Sequence, residues 1–285
     1  MTRIDALRTG ELEPAEAGEV KDHLKDCPSC DDSTHDLTDL ARAVKVLQTA
    51  PPRSCRTAIS DRFDEIEVEG RRVWVAFTTR GLTMIHTGGS GEDFRSRYCE
   101  RFGRELEPEA LPDKLRREVA SALSGEGVKK PHVDLLGATD FEQKVLEVLT
   151  RIPRGQVRTY SWVAQQAGNP SAIRAVGNIC ARNVVPFVVP CHRVVPSSGG
   201  VGSYAFGERM KRALLEREGV PVAELDELAQ RRIRFTGSKT TKIFCCPTCS
   251  DAQRTREHNR VHFRDAEEAF QKGYRPCRRC QPVAA

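Results

Sequence analysis

The chain has 285 residues, 39% hydrophobic and 30% charged, which leaves room for several domains and excludes a wholly disordered polymer. No apolar run approaches the ~18 residues of a membrane span, and the opening Met1-Thr2-Arg3-Ile4-Asp5-Ala6 lacks the apolar stretch of a secretory leader, so no membrane partner and a cytoplasmic location are expected. Charge is graded along the chain. Residues 1–55 hold 7 Lys/Arg against 11 Asp/Glu, and residues 231–285 hold 13 against 5, so the basic end anticipates a polyanion. In a reducing compartment the eleven cysteines read as metal ligands or nucleophiles rather than disulfides.

Residues 1–50 are acidic and helix-prone, and Pro51-Pro52 marks a linker. Within them His23, Cys27 and Cys30 have the close spacing of metal ligands. Arg72–Thr78 and Leu82–Ile85, parted by Gly81, predict a hairpin. Helical patterns follow over 92–102 and 114–123. Thr139-Asp140-Phe141-Glu142 has capping-box spacing, ahead of Phe141, Val145, Val148 and Leu149 on one helix face. Thr159 or Tyr160 opens a short helix, Gly168-Asn169-Pro170 forms a stop and turn, and Ile173, Val176, Gly177 and Cys180 mark the next helix. Two short helices about a glycine turn form a helix-turn-helix candidate. Val184–Pro190 is extended and apolar, and its two prolines argue against a central strand. Ser197–Gly200 reads as a loop or wing, and 208–218 as a helix stopped by Gly219.

Cys191 stands out on local chemistry. It follows a proline and adjoins His192 and Arg193, and cationic or hydrogen-bonding neighbours favour the nucleophilic thiolate. Neighbouring side chains on an extended strand point to opposite faces, so His192 is expected to reach the sulfur through water. A buried structural thiol and a cysteine hydrolase are the alternatives left open by the residues alone.

Pro190-Cys191-His192-Arg193-Val194 resembles the active-site motif of the O6-alkylguanine-DNA alkyltransferases, and the resemblance extends over roughly 140–220. It runs through Arg154–Tyr160, Gly168-Asn169-Pro170, Arg174-Ala175-Val176-Gly177, Asn183, Gly202, Tyr204, Lys211 and Glu218. The resemblance implies a multidomain α/β (α+β) chain: a ribonuclease-H-like small-sheet subdomain over 56–135 and a winged helix-turn-helix catalytic domain over 136–222. It implies binding of duplex DNA carrying O6-alkylguanine, base flipping and irreversible transfer of the alkyl group to Cys191, with no cofactor needed for that reaction. Cys191, His192, Glu218, Asn183 and Tyr160 would be catalytic. Arg174, Tyr160, Ala175 and Gly177 would contact DNA, and Tyr204, Lys211 and Gly202 would line the guanine pocket. The rival within this resemblance is a damage sensor that flips the base and recruits other factors, although relatives of that kind lack the nucleophile.

At the basic end, Cys245-x3-Cys249 and Cys277-x2-Cys280 supply four thiols, a tetrahedral zinc pattern. Thr240–Cys249 and Gly273–Cys280 resemble the metal-binding domain family of the bacterial adaptive-response protein Ada, placing a zinc domain over 232–285. That resemblance makes Cys245 a possible second acceptor, for methyl from DNA phosphotriesters. Cys246 stands where the family commonly has Arg. His23, Cys27 and Cys30, with Gly10-Glu11-Leu12 upstream, resemble the anti-sigma-type zinc fingers, which implies a second zinc site lacking an obvious fourth ligand and a sigma factor or regulator as partner.

Overall fold

The structure, a computed structural model, describes residues 12–26, 61–125, 131–135 and 137–282. The chain divides into two units, 1–60 and 61–285. In the first, the described part is helix α1 (Pro14–Asp26), with Val20 buried, His23 exposed in its last turn and Lys25 paired with Asp22 at 2.8 Å. Both partners of that pair are solvated, so it contributes little to stability. Cys27 and Cys30 lie outside the described residues, as does the linker at 51–52.

The second unit begins with a four-stranded sheet of order β3-β2-β1-β4. Strands β1 (Asp61–Val68), β2 (Arg71–Thr78) and β3 (Gly81–Thr87) form an antiparallel meander, and β4 (Leu106–Pro108) runs parallel to β1. The hairpin expected from the sequence is β2–β3. Both faces of β2 are covered, which explains its unbroken apolar run. Trp74 and Ala76 pack with Phe94 and Tyr98 of helix α2 (Gly91–Phe102), while Val73, Val75 and Phe77 enter the main core. The free edge of β3 is occupied: Leu82 N–H donates to His132 O (2.9 Å), and Ile85 N–H donates to Val184 O (2.8 Å). The second bond ties the sheet to the segment that leads into Cys191. Under the sheet, Tyr98 donates to buried Asp61 (2.5 Å), which also pairs with Arg104 (2.9 Å). Helix α3 (Asp113–Ser124) closes this part.

Helix α4 (Asp140–Arg151) starts at the expected capping box: Thr139 Oγ1 accepts from Glu142 N–H (3.3 Å), and Glu142 accepts from Thr139 N–H (2.9 Å). Val145, Val148 and Leu149 form the face against which helices α5 (Tyr160–Gln166) and α6 (Ile173–Ala181) pack. Thr159 caps α5, accepting from Trp162 N–H at 3.1 Å. Gly168 at φ +86° ends the turn after α5, where Asn169 N–H reaches Ala164 O at 3.0 Å. A left-handed residue at a helix end favours glycine. A short parallel ladder joins β5 (Arg158–Thr159) to β6 (Val194–Val195). Helices α7 (Glu208–Arg217) and α8 (Val222–Gln230) follow.

The basic end folds around a second four-stranded sheet, order β10-β8-β7-β9. Its strands are β7 (Phe235–Ser238), β8 (Ile243–Cys245), β9 (Arg260–Phe263) and β10 (Arg275–Pro276), joined by the short helices α9 (Ser250–Gln253) and α10 (Ala266–Gln271). Phe235, Phe244, Phe263 and Tyr274 form its core, and a Cβ on Gly237 would lie 2.7 Å from the Phe263 ring. No described helix is long and apolar enough to cross a membrane.

Gly202 turns the loop between β6 and α7 at φ +73°, where a Cβ would come within 2.5 Å of the Pro196 ring. Gly202→Ala therefore meets both backbone strain and a clash. We expect a loss of at least about 1 kcal/mol in urea unfolding.

Candidate active site and metal centre

Cys191 is delivered by a segment that folds back on itself. Pro186 and Val189 form a local bridge, Phe187 takes a left-handed conformation (φ +72°), and Cys191 N–H donates to Val189 O at 2.8 Å. Cys191–Arg193 then make one 3-10 turn rather than the extended strand expected from the sequence. Prolines 186 and 190 cannot donate ladder hydrogen bonds, so the stretch closes locally instead of pairing. The opposite-face argument for His192 therefore does not apply, although the conclusion that it makes no direct contact with the sulfur agrees with its observed partner, Glu218.

The Cys191 side chain belongs to the main core and is 4% exposed. It also lines an open cleft with Tyr160, Gly177, Cys180, Ser203 and Tyr204. A Cβ on Gly177 would meet nothing within 4 Å, so this face of α6 leaves the cleft free. Asn183, just beyond α6, fixes the turn. Its Nδ2 donates to Val189 O (2.9 Å) and Cys191 Sγ (3.1 Å), and its Oδ1 accepts from Val185 N–H (3.1 Å).

Glu218 caps the end of α7 and gathers the two residues after Cys191. Its Oε1 pairs with His192 Nε2 at 2.9 Å, and Arg193 adds two parallel bonds, Nε to Oε2 and Nη2 to Oε1, each 2.8 Å. Arg193 Nη1 also donates to Ile152 O at 2.7 Å, anchoring the cluster to the end of α4. His192 Nδ1 is buried and has no protein partner.

Burial raises the Cys191 thiol pKa, opposed by the Asn183 amide and by the positive charge of Lys211. Burial also lowers the basicity of His192, opposed by Glu218. Glu218 feels burial in the upward direction, but its bonds from His192 and Arg193 prevail and hold it at about 2. Burial raises Tyr160 to about 12, so its hydroxyl keeps its proton at neutral pH. Burial raises the Tyr204 phenol well above its ordinary range, and its closeness to Cys191 adds to the rise.

Lys211 sits behind the cleft rather than in its lining. It is 1% exposed and donates to Val194 O (2.6 Å) and Ser203 O (3.2 Å), bracing the two chain segments that flank the pocket. Burial pulls it down to about 8. Gly202 also supports this loop without lining the cleft. Arg174 is exposed in the first turn of α6, one residue before half-buried Ala175. Sequence reasoning used Arg193 only as a cationic neighbour of Cys191 and Cys180 only as part of a helix face, not as a lining residue of the cleft. The i, i+3 spacing of Gly177 and Cys180 was the available signal for the latter; nothing local announces the Arg193 fork on a residue 25 positions away.

In the basic module, Cys245, Cys249, Cys277 and Cys280 are buried, free of disulfides, and have sulfurs within 4.8 Å of one another. Four converging buried thiols fit zinc's preference for soft tetrahedral ligands. Zinc would hold them as thiolates, and its binding energy would fold so small a module. Cys246 N–H points at Cys280 Sγ (3.4 Å), a bond that would stabilise a thiolate ligand there.

Residues 140–220 match the family model described as 6-O-methylguanine DNA methyltransferase, DNA binding domain. Residues 225–283 match the metal binding domain of Ada, and residues 2–30 match a putative zinc-finger. A methylated-DNA–protein-cysteine methyltransferase of Shigella flexneri is 41% identical over 150 residues, 51% of this chain and 80% of that protein. The chain belongs to the methylated-DNA–protein-cysteine methyltransferase family. A family member from Mycobacterium tuberculosis is 48% identical over 86 residues, covering 30% of this chain and 52% of that one. The regulatory protein ada of Salmonella typhimurium is 35% identical over 150 residues, 52% of this chain and 42% of that one. The chain spans about half the length of most of the relatives it matches. Among solved structures, the Mycobacterium tuberculosis O6-methylguanine methyltransferase aligns at TM-score 0.44 and 31% identity, over 56% of this chain and 92% of that one.

Glu218 is more acidic in the folded chain than in the unfolded one, so its contribution is complete above about pH 4.5 and is lost as pH falls towards about 2. We expect urea unfolding to show a loss of up to about 3 kcal/mol across that window. Glu218→Gln should flatten the slope while lowering stability at neutral pH.

Proposed function

We propose that this chain repairs DNA by direct reversal, moving an alkyl group from guanine O6 in duplex DNA to Cys191. The observation that carries the reading is a single one: a core thiol, held by Asn183 at 3.1 Å, opens onto a cleft walled by the two helices of a helix-turn-helix. A cysteine hydrolase needs no such wall.

In this reading α6 enters the minor groove and Arg174 fills the space left in the base stack. Tyr160, at the start of α5, crowds the phosphate and keeps the nucleotide turned out, because Cys191 cannot reach a stacked base. The unstacking costs a few kcal/mol, less at a damaged pair. Tyr204 and the backbone at Ser203 present the guanine edge to the sulfur. His192, oriented by Glu218 and Arg193, takes the thiol proton through water at its free Nδ1. The thiolate attacks the alkyl carbon; the S–C bond forms as the C–O6 bond breaks. Tyr160 gives its proton to the departing guanine and regains one from solvent. Desolvation keeps the resting thiol protonated, so ionisation is confined to the loaded site. The thioether product has no simple reversal, and each chain acts once.

The sheet order, with β4 parallel to β1, supports the ribonuclease-H-like reading of residues 56–135. The loop at 197–204 supplies the wing. Three further parts of the proposal are the helical zinc-finger-like segment over 1–50, the catalytic domain over 136–222 and the zinc domain over 232–285. The sensor reading loses force because the nucleophile and its hydrogen-bond partners are all present. Cys245 as a second acceptor rests on the match to the metal binding domain of Ada, and Cys246 rather than a cation follows it in sequence. The module enters the proposal as a metal centre with a basic surface. A protein partner for the first unit and the second zinc site rest on the putative zinc-finger match at 2–30.

Mass spectrometry of peptides after mixing with duplex DNA carrying one O6-methylguanine should find one added methyl on the Cys191 peptide and unmodified guanine in the DNA. Cys191→Ser should abolish transfer, and Tyr160→Phe should slow it by about tenfold or more. Binding without methyl transfer by the zinc-loaded wild type would overturn the reading and leave a sensor.

A further inference from the structure

The segment that carries Tyr160 is fastened on both sides of that residue to the metal-binding module. Just before β5, Val157 N–H donates to Thr248 Oγ1 at 2.9 Å, and the same hydroxyl donates back to Val157 O at 3.3 Å. Thr248 is fully buried and immediately precedes the ligand Cys249. On α5 itself, Trp162 Nε1 donates to the carbonyl oxygens of Cys280 (2.9 Å) and Gln281 (3.1 Å). Cys280 is a ligand from the other cysteine pair.

The two fastenings therefore come from opposite halves of the cysteine cluster. Thr248 belongs to the first pair and Cys280 to the second, and 30 residues separate Cys249 from Cys277-x2-Cys280's last member in sequence order along an otherwise small module. A metal drawing the two pairs together would set the distance between Thr248 Oγ1 and Cys280 O. Segment 157–162 spans that distance. It contains Thr159, the cap of α5, and Tyr160, which lines the cleft. The Arg158 guanidinium lies over the Trp162 ring at 5.4 Å, between the two fastened residues in sequence.

We propose that the metal centre is a working part of the guanine site: Thr248 and Trp162 are positioning residues that transmit its integrity to Tyr160. The inference rests on the alkyl-transfer reading for its kinetic consequence but not for its structural one. Metal loss releases the two carbonyls and the hydroxyl from their places. It leaves Val157 N–H and the indole N–H without partners, and α5 loses the support of its first turn. By linkage, DNA that orders α5 tightens metal binding by the same factor.

The test uses the full chain, zinc-loaded and chelator-treated, followed by hydrogen exchange of the 157–167 peptide and by the transfer rate from O6-methylguanine duplex. Zinc removal should deprotect 157–167 while leaving the 71–87 strands protected, and should slow transfer by about tenfold or more. Thr248→Val should keep the wild-type zinc content by metal analysis, yet deprotect the same peptide and slow transfer by about tenfold. Thr248→Ser should restore both within about twofold, which a merely space-filling role would not produce. Unchanged exchange of 157–167 on zinc removal, or Thr248→Val indistinguishable from wild type with zinc retained, overturns the inference. If wild type transfers no methyl, the function proposed above fails, and the exchange arm still decides whether the coupling exists.

Discussion

The constraint that organises this structure is that one sulfur must be buried enough to be shielded and open enough to be reached. Cys191 meets it by sitting at the boundary of the main core, in a 3-10 turn that the surrounding chain cannot relax. A buried thiolate would be costly without compensation, and part of the compensation is already in place in the Asn183 amide and buried Lys211. Glu218 solves the same problem for a carboxylate. Three hydrogen bonds from His192 and Arg193 satisfy it, so its charge survives where burial alone would have neutralised it. One residue at the end of α7 thereby holds α4, α7 and the reactive turn in register.

Much of this was legible in the sequence because it is local. The capping box at Thr139, the glycine stop at Gly168 and the apolar faces of α4 and α6 depend on spacing within a few residues. The cysteine pairs announce a metal centre for the same reason. What was missed is long-range or ambiguous. Strand β1 (Asp61–Val68) holds five charged residues and breaks the strict alternation of a half-buried strand between Phe63 and Ile66, so it reads poorly as a strand; pairing with β2 and β4 and the burial of Asp61 beneath Tyr98 explain it. Val184–Pro190 looked extended because prolines forbid a helix, but the same prolines also deny it a ladder. Lys211 looked like a pocket residue, since nothing local shows that two carbonyls claim its ammonium from behind.

The basic module illustrates how a small fold replaces missing core with other constraints. Its apolar centre is four aromatic rings packed largely edge to face, with Gly237 admitting two of them close to the backbone. Such pairs add ~0.5–1.5 kcal/mol each beyond area burial, too little alone to fold about fifty residues. A metal bound at the cysteine cluster would supply the rest, and stability of the module would then follow metal availability.

That dependence does not stop at the module's edge. Thr248 and the Cys280 carbonyl are bonded to residues whose own partners lie in the helix-turn-helix, so the two folds share buried polar groups rather than apolar surface alone. Apolar contact is tolerant of small displacements; a buried hydrogen bond is not, because losing it strands a donor away from water. An interface of the first kind would let the module act as a loosely tethered basic tail. An interface of the second kind makes it part of the frame that sets where α5 begins, and therefore where Tyr160 stands relative to Cys191.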